Sequence, residues 1–93
     1  MPSEGDTTLD MLVRDALTHH GNLAVDVSSL GVDDDLYLVG LTSHATINVM
    51  IAIEDATGTQ FQEHLMRRST FKTIDAIKQA ATESAQPAQP HQL

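Results

Sequence analysis

The 93-residue sequence predicts an all-α protein, a four-helix bundle of three main helices and one short helix, with a long loop between the first two helices. Three segments support this fold class, because their apolar residues recur at steps of three and four residues, as on one face of a helix. Clusters of serine, glycine and aspartate interrupt any strand between the first two segments. A chain of this length is sufficient for one domain with a single modest core.

The first helix is expected after a flexible tail at residues 1–6, which are polar and contain proline and glycine. Asp6 or Thr7 is a candidate N-cap for this helix. Its apolar face is formed by Leu9, Leu12, Val13, Ala16 and Leu17. The helix is predicted to end near Gly21 and Asn22, either of which can adopt the left-handed conformation that closes a helix.

Residues 22–42 are predicted to form a long ordered loop. Their aliphatic side chains show no sustained helical period, and they are Val25, Val27, Leu30, Val32, Leu36, Leu38 and Leu41. Loops of this length are uncommon in compact domains unless they have a function. This loop would cover the core and hold Ser43 at a fixed position, although the pattern also fits a short hairpin.

The central helix is predicted to begin at Ser43 and has an unusually wide apolar arc. One stripe, interpreted as core, contains Val49, Met50, Ile53 and Ala56. A second stripe contains Ile47 and Ile51, with His44 on the first turn, whereas Asn48 and Asp55 are on the polar side. The second stripe is either the edge of the core or an exposed face for partners, and the alternative is that both stripes are buried.

Ser43 occupies a special position at the start of this helix. The first backbone N–H groups of a helix lack intrahelical acceptors and carry the positive end of its dipole. A serine there can therefore cap the helix or hold a phosphate group.

The last third of the chain contains the remaining helices. Gly58 is predicted to end the central helix in the left-handed conformation, and Phe61 then fills the core from a loop. Residues 62–67 are expected to form the short helix. Ser69 or Thr70 would cap the last helix, whose apolar face is formed by Phe71, Ile74, Ile77 and Ala81. The folded domain is assigned to residues 7–82, and residues 83–93 are expected to be disordered because they contain little apolar surface to bury.

Composition excludes several classes of function. With 5 basic and 13 acidic residues, the net charge of −8 argues against binding to a nucleic-acid backbone, and there are only three aromatic side chains to stack on bases. The sequence has no cysteine for disulfides. It contains no apolar run of about 20 residues and no signal-peptide pattern. We therefore expect a cytoplasmic monomer that binds neither nucleic acid nor membrane. Arg67 and Arg68, the only basic pair, are interpreted as surface charge.

Ser43 is a poor candidate for a catalytic nucleophile. A nucleophilic serine needs a base within hydrogen-bond reach. The nearest histidine, His44, is adjacent in the helix, so its side chain points about 100° away. The segment also lacks the second glycine of a Gly-x-Ser-x-Gly elbow.

No metal site is predicted either. An EF-hand loop that began at Asp33 would require an oxygen ligand at Tyr37, a glycine at Leu38 and a glutamate at His44, so this type of site is excluded. The histidines are too scattered to form a zinc site. The run of aspartates at residues 33–35 is interpreted as a solvated acidic turn.

One stretch of the chain resembles the acyl and peptidyl carrier proteins, which hold 4′-phosphopantetheine on the serine of a Gly-Leu-Asp-Ser-Leu motif. The resemblance runs from Asp34-Asp35-Leu36 through Gly40-Leu41-Thr42-Ser43 to Ile47, Ile51 and Glu54. It extends through Gly58, Phe61, Leu65, Thr70, Phe71, Ile74 and Ile77, and weakly to the first helix, so that it covers about residues 7–81. It implies an acyl-carrier-protein-like bundle.

Two departures from this motif refine the resemblance. Thr42 stands where the family usually has aspartate, and His44 where it usually has leucine. The departures are similar to those of small discrete aminoacyl carrier proteins, which are charged by truncated seryl-tRNA-synthetase-like ligases. The central helix also has few acidic residues compared with carriers of ordinary fatty-acid synthesis, which favours a specialised carrier.

The resemblance implies a function for Ser43 and for the face beside it. A phosphopantetheinyl transferase would move 4′-phosphopantetheine from coenzyme A to Ser43, and the arm would hold an acyl or aminoacyl group as a thioester. His44, Ile47, Asn48 and Ile51 would contact an acyl- or amino acid-activating ligase and a downstream acceptor enzyme. The protein itself would not be an enzyme. The alternative is an unmodified acidic helical protein-interaction module, whose Ile47 and Ile51 bind a partner helix.

Overall fold

Three α-helices form the fold: α1 (Glu4–His20), α2 (Ser43–Thr57) and α3 (Ile74–Ala85). Three short 3₁₀ turns lie in the connections, at Val27–Ser29, Glu63–Leu65 and Arg68–Phe71. The computed structural model describes the backbone of residues 4–85 and the side chains of residues 8–84. Within this range there is no strand, so the predicted all-α fold is confirmed and the alternative of a hairpin in the first loop is wrong.

The helix ends differ from the prediction at the outer edges of the domain. Because α1 begins at Glu4, Asp6 and Thr7 lie inside the helix and neither is its N-cap. Helix α3 continues to Ala85, three residues beyond the predicted domain limit. The predictions for residues 1–3 and 86–93 lie outside the described residues.

The predicted ends of α1 and α2 are confirmed. Helix α1 ends at His20, and the chain then turns through Asn22, whose φ of 53° is in the left-handed region. Helix α2 is closed by Gly58 with φ 71°, and the Gly58 N–H donates to the Glu54 carbonyl at 2.8 Å. Both turns use residue types that tolerate positive φ at low cost.

The core lies between the three helices, since α1 packs against both α2 and α3. Its fully buried large side chains are Val13, Leu17, Leu36, Val49, Ile53, Ile74 and Ile77. Each such side chain stabilises the fold by about 1.5–3 kcal/mol relative to exposure. Of the side chains predicted to face the core, Leu9, Leu12 and Met50 are only partly buried against this cluster. Ala56 was also expected in the core, but it is exposed at the outer edge of the α2 stripe.

The long first loop is ordered by hydrogen bonds to α1 on one side and to the segment before α3 on the other. Arg14 on α1 donates from Nη1 to the Val27 and Leu30 carbonyls at 3.0 and 2.8 Å. At the other side of the loop, the Leu36 N–H donates to the Lys72 carbonyl at 2.7 Å. These bonds satisfy polar backbone groups beside the core, so the prediction of a long ordered loop is confirmed.

The segment before α3 departs from the predicted helix boundaries. The short third helix is present as two 3₁₀ turns, and α3 begins at Ile74, after Phe71. The Thr73 hydroxyl caps the start of α3, because it accepts the Ala76 N–H at 3.0 Å. The predicted caps at Ser69 or Thr70 are therefore wrong.

Among the residues that the structure describes, no helix combines the length and the apolar character that crossing a membrane requires.

Candidate functional site

The start of α2 is capped by Thr42. Its backbone is extended, with φ −101° and ψ 166°, and its hydroxyl accepts the Ala45 N–H at 3.0 Å. The Thr46 hydroxyl in turn donates to the Thr42 carbonyl at 2.8 Å. The alternative that Ser43 caps the helix is therefore wrong, because the Thr42 hydroxyl already accepts the Ala45 N–H.

Ser43 is the first residue of α2, and its side chain is exposed. Among the residues that the structure describes, its hydroxyl has no hydrogen-bond partner, and neither do the backbone N–H groups of Ser43 and His44. Free N–H groups at the positive end of a helix dipole favour a negative group. The arrangement therefore fits a phosphate ester on the Ser43 oxygen.

Ser43 lies at the edge of an open cavity of about 390 Å³ between α2 and the turns before α3, which we call the Ser43 cavity. Its apolar lining consists of Ile47, Met50, Met66 and Phe71. Its polar lining consists of Tyr37, Ser43, Thr46, Arg67 and Arg68. The cavity is thus largely apolar with two cations.

Tyr37 and Arg68 form a connected pair in this cavity. The Arg68 guanidinium carbon lies 3.8 Å from the centre of the Tyr37 ring, and the Tyr37 hydroxyl donates to the Arg68 carbonyl at 2.8 Å. Partial burial raises the pKa of Tyr37, and the Thr46 hydroxyl and the Arg68 charge partly offset this rise. The tyrosine therefore stays neutral at physiological pH and keeps its proton for the Arg68 carbonyl.

The Ser43 cavity is poorly equipped for nucleophilic catalysis. None of its lining side chains is a histidine or a carboxylate that could accept the serine proton. His44 is exposed and is not part of the lining. The Ser43 hydroxyl is accessible, so an enzyme that supplies the general base from its own side chains could use this hydroxyl as a nucleophile.

The predicted partner stripe on α2 is exposed. The exposed fraction is 53% for Ile47 and 45% for Ile51, and His44 and Asn48 are exposed beside them. The alternative in which both stripes are buried is therefore wrong. Contact of these four residues with a partner stays a prediction.

Two features of the site were missed in the sequence. Tyr37 and Arg68 are 31 residues apart, and no local spacing indicates their contact. Leu38, 84% exposed, precedes the site in a turn in which the Asp35 carboxylate accepts the Tyr37 and Leu38 N–H groups. The preference of aspartate for such turns is the available signal, although the run of aspartates at residues 33–35 by itself indicates only a solvated acidic turn.

Within the described residues there is no cluster of three or more histidine, aspartate or glutamate side chains that could hold a metal ion. His64 instead pairs with Glu83, with 2.8 Å between Nε2 and Oε2.

Comparison with known proteins gives one sequence relative and several solved structures. No family model matches the chain. The aminoacyl carrier protein of Agrobacterium fabrum is 33% identical over 70 residues, which cover 75% of this chain and 84% of that protein. A further match is to a chain in the crystal structure of an engineered Bradyrhizobium japonicum glycine:[carrier protein] ligase complexed with a carrier protein from Agrobacterium tumefaciens and ATP. Its TM-score is 0.77 at 31% identity, covering 81% of this chain and 97% of that one.

A solution structure of a protein from Agrobacterium tumefaciens agrees with these matches. Its TM-score is 0.66 at 31% identity, covering 80% of this chain and 89% of that one. The helical fold of this chain is thus that of the carrier-protein class. The extent of the similarity to the Agrobacterium fabrum protein shows further that the chain belongs to the aminoacyl carrier protein family.

Proposed function

We propose that Ser43 is the attachment site of 4′-phosphopantetheine and that the arm carries an amino acid. The observation that carries this proposal is the exposed Ser43 hydroxyl, which the fold leaves unused at the start of α2 while Thr42 caps the helix. Membership of a carrier family supports the cofactor. When bound, the arm supplies a thiol that holds the cargo as a thioester.

The protein contributes position, and other proteins perform the chemistry. The start of α2 holds the Ser43 oxygen at a fixed and accessible point, with free N–H groups of Ser43 and His44 nearby for a phosphodiester. The flexible arm raises the effective concentration of the cargo at successive active sites. The absence of a base among the side chains that line the Ser43 cavity supports a non-catalytic role.

Three classes of partner follow from this function. A phosphopantetheinyl transferase would convert the apo protein to the holo protein. An amino acid-activating ligase would load it, and the ligase complex with the similar carrier protein supports this class of partner. A downstream enzyme would accept the cargo. The exposed face of His44, Ile47, Asn48 and Ile51 lies beside Ser43 and is proposed to contact these enzymes.

As part of this proposal, the protein acts as a monomer in the cytoplasm, together with these partner enzymes. The alternative, an unmodified helical interaction module, is not favoured, because family membership supports a carrier.

The test is modification in vitro. The apo protein is incubated with coenzyme A and a broad-specificity phosphopantetheinyl transferase, and its intact mass is measured. Wild type should gain one phosphopantetheine, whereas Ser43→Ala should gain none. Ser69→Ala provides the matched control, because it removes the hydroxyl of another exposed serine and should leave modification intact. A mass increase in Ser43→Ala would contradict the proposal.

A further inference from the structure

The positive charge of this acidic protein is concentrated beside Ser43. The chain has only five lysine and arginine residues and a net charge of −8. Three of the five are Arg67, Arg68 and Lys72, and both arginines line the Ser43 cavity. An anion that approaches the protein is therefore repelled by most of the surface and attracted here.

The two cavity arginines are available for an external anion. In the part of the chain that the structure describes, neither Arg67 nor Arg68 forms an ion pair with a carboxylate. Arg14 is different, because its Nε lies 2.9 Å from Asp10 Oδ2 and it also binds the first loop. An arginine without an internal carboxylate, at the edge of an apolar cavity, has its guanidinium donors free for a phosphate.

Arg68 is also held in place. Its guanidinium stacks on the Tyr37 ring, whose hydroxyl binds the Arg68 carbonyl. Tyr37 is fixed in turn by its N–H, which donates to Asp35 Oδ1 at 2.9 Å. An arginine that is already positioned loses less conformational entropy when it binds an anion.

We propose that Arg68, positioned by Tyr37, pairs with the phosphodiester of the 4′-phosphopantetheine arm and directs the arm into the Ser43 cavity. This inference rests on the proposed function of Ser43. The positive charge of Arg68 favours the phosphodiester as the group that it binds. The apolar side chains of Met50, Met66 and Phe71 offer contact area to the rest of the arm. Tyr37 is a positioning residue, since it acts through Arg68.

The covalent tether makes a weak contact sufficient. An arm attached at the edge of the cavity has a high effective concentration there, so no new tight binding site is required. An exposed ion pair is also easily broken, so the arm remains free to leave when an enzyme binds. The cavity would thus be a resting position from which the arm is released without a large conformational change.

The experiment compares nuclear magnetic resonance spectra of the apo and holo forms of the whole protein. Wild type, Arg68→Gln and the matched control Lys72→Gln are each converted to the holo form, which intact mass confirms. Lys72 belongs to the same basic cluster but does not line the Ser43 cavity. The measured quantities are the apo-to-holo shifts of the amides of residues 67–71 and of the Met50 and Met66 methyl groups.

In wild type and in Lys72→Gln, attachment of the arm should shift these signals. In Arg68→Gln the shifts should fall by about two- to fivefold, because loss of an exposed ion pair should lower the population of the arm in the Ser43 cavity by about that factor. Equal shifts in all three proteins, or no shift in a wild-type protein of holo mass, would overturn the proposal for Arg68. Failure of the proposed function would be distinct, because the mass of wild type would not increase.

Discussion

Thr42 and Ser43 are adjacent hydroxyl residues, but the fold uses only one of them. The Thr42 hydroxyl accepts the Ala45 N–H and closes the start of α2. Among the described residues, the Ser43 hydroxyl bonds to nothing. Because another residue caps the helix, Ser43 is free for modification without cost to the fold.

This division predicts different costs for the two alanine substitutions. Thr42→Ala should destabilise the protein by about 1 kcal/mol, because it removes an N-cap. Ser43→Ala should change stability by less than about 0.5 kcal/mol, as an exposed residue that makes no side-chain bond. Urea unfolding of the two apo variants measures the difference. Equal losses would mean that both hydroxyls support the helix.

At the scale of residues, two features of the site could not be predicted from the sequence. Threonine and serine are both good N-caps, and pattern alone does not fix a helix boundary to one residue. Ser43 could therefore be placed at the start of the helix but not assigned a role in capping. The contact of Tyr37 with Arg68 depends on the path of the whole chain between them, which no local pattern encodes.

At the scale of elements, α2 has one buried stripe and one exposed stripe. Val49 and Ile53 are fully buried, whereas Ile47 and Ile51 are about half exposed. Exposed β-branched apolar residues beside the proposed attachment site are consistent with a surface that contacts partners. The buried stripe stabilises the fold, and the exposed stripe is the surface that we propose for partner recognition.

Ile51→Asp tests the recognition stripe. The free energy of unfolding of the variant should lie within about 0.5 kcal/mol of the wild-type value, because Ile51 is a surface position. Loading of its holo form by the cognate amino acid-activating ligase should nevertheless slow, because a charge replaces an apolar contact. The rate of loading and the urea midpoint are measured on the same sample.

Ala56→Asp is the matched control, since it adds the same charge on the same helix at an exposed position away from the proposed face. It should load at the wild-type rate. Equal loading rates for both variants would refute the partner role of Ile51, and gross unfolding of Ile51→Asp would contradict its surface position.

The three α-helices could be predicted because each contains several turns of periodic apolar residues. The 3₁₀ turns could not, since a three- or four-residue turn contains too few positions to establish a period. The start of α3 was misplaced for a related reason. Phe71 and Ile74 are three residues apart and both buried, which fits one helix, but a 3₁₀ turn ends at Phe71 and α3 begins at Ile74, where the Thr73 hydroxyl accepts the Ala76 N–H.

At the scale of the whole molecule, the core and the Ser43 cavity share a wall. Phe71 is buried, stacks on Phe61 with 5.6 Å between ring centres, and also lines the cavity. The first loop approaches from the other side, where the Leu36 N–H binds the Lys72 carbonyl. The position of the cavity relative to Ser43 is therefore fixed by core packing.

Phe71→Ala should consequently affect both stability and the cavity. Loss of a buried phenylalanine costs about 3–5 kcal/mol, which is a large share of the roughly 5–15 kcal/mol that stabilises a small domain. Met66→Ala is the control, because Met66 lines the same cavity but is 49% exposed and should cost far less. Urea unfolding of both variants and wild type measures the two costs. A Phe71→Ala midpoint close to wild type would show that the cavity wall is not part of the core. A loss in Met66→Ala as large as that in Phe71→Ala would instead mean that the turns before α3 stabilise the domain through the cavity lining itself.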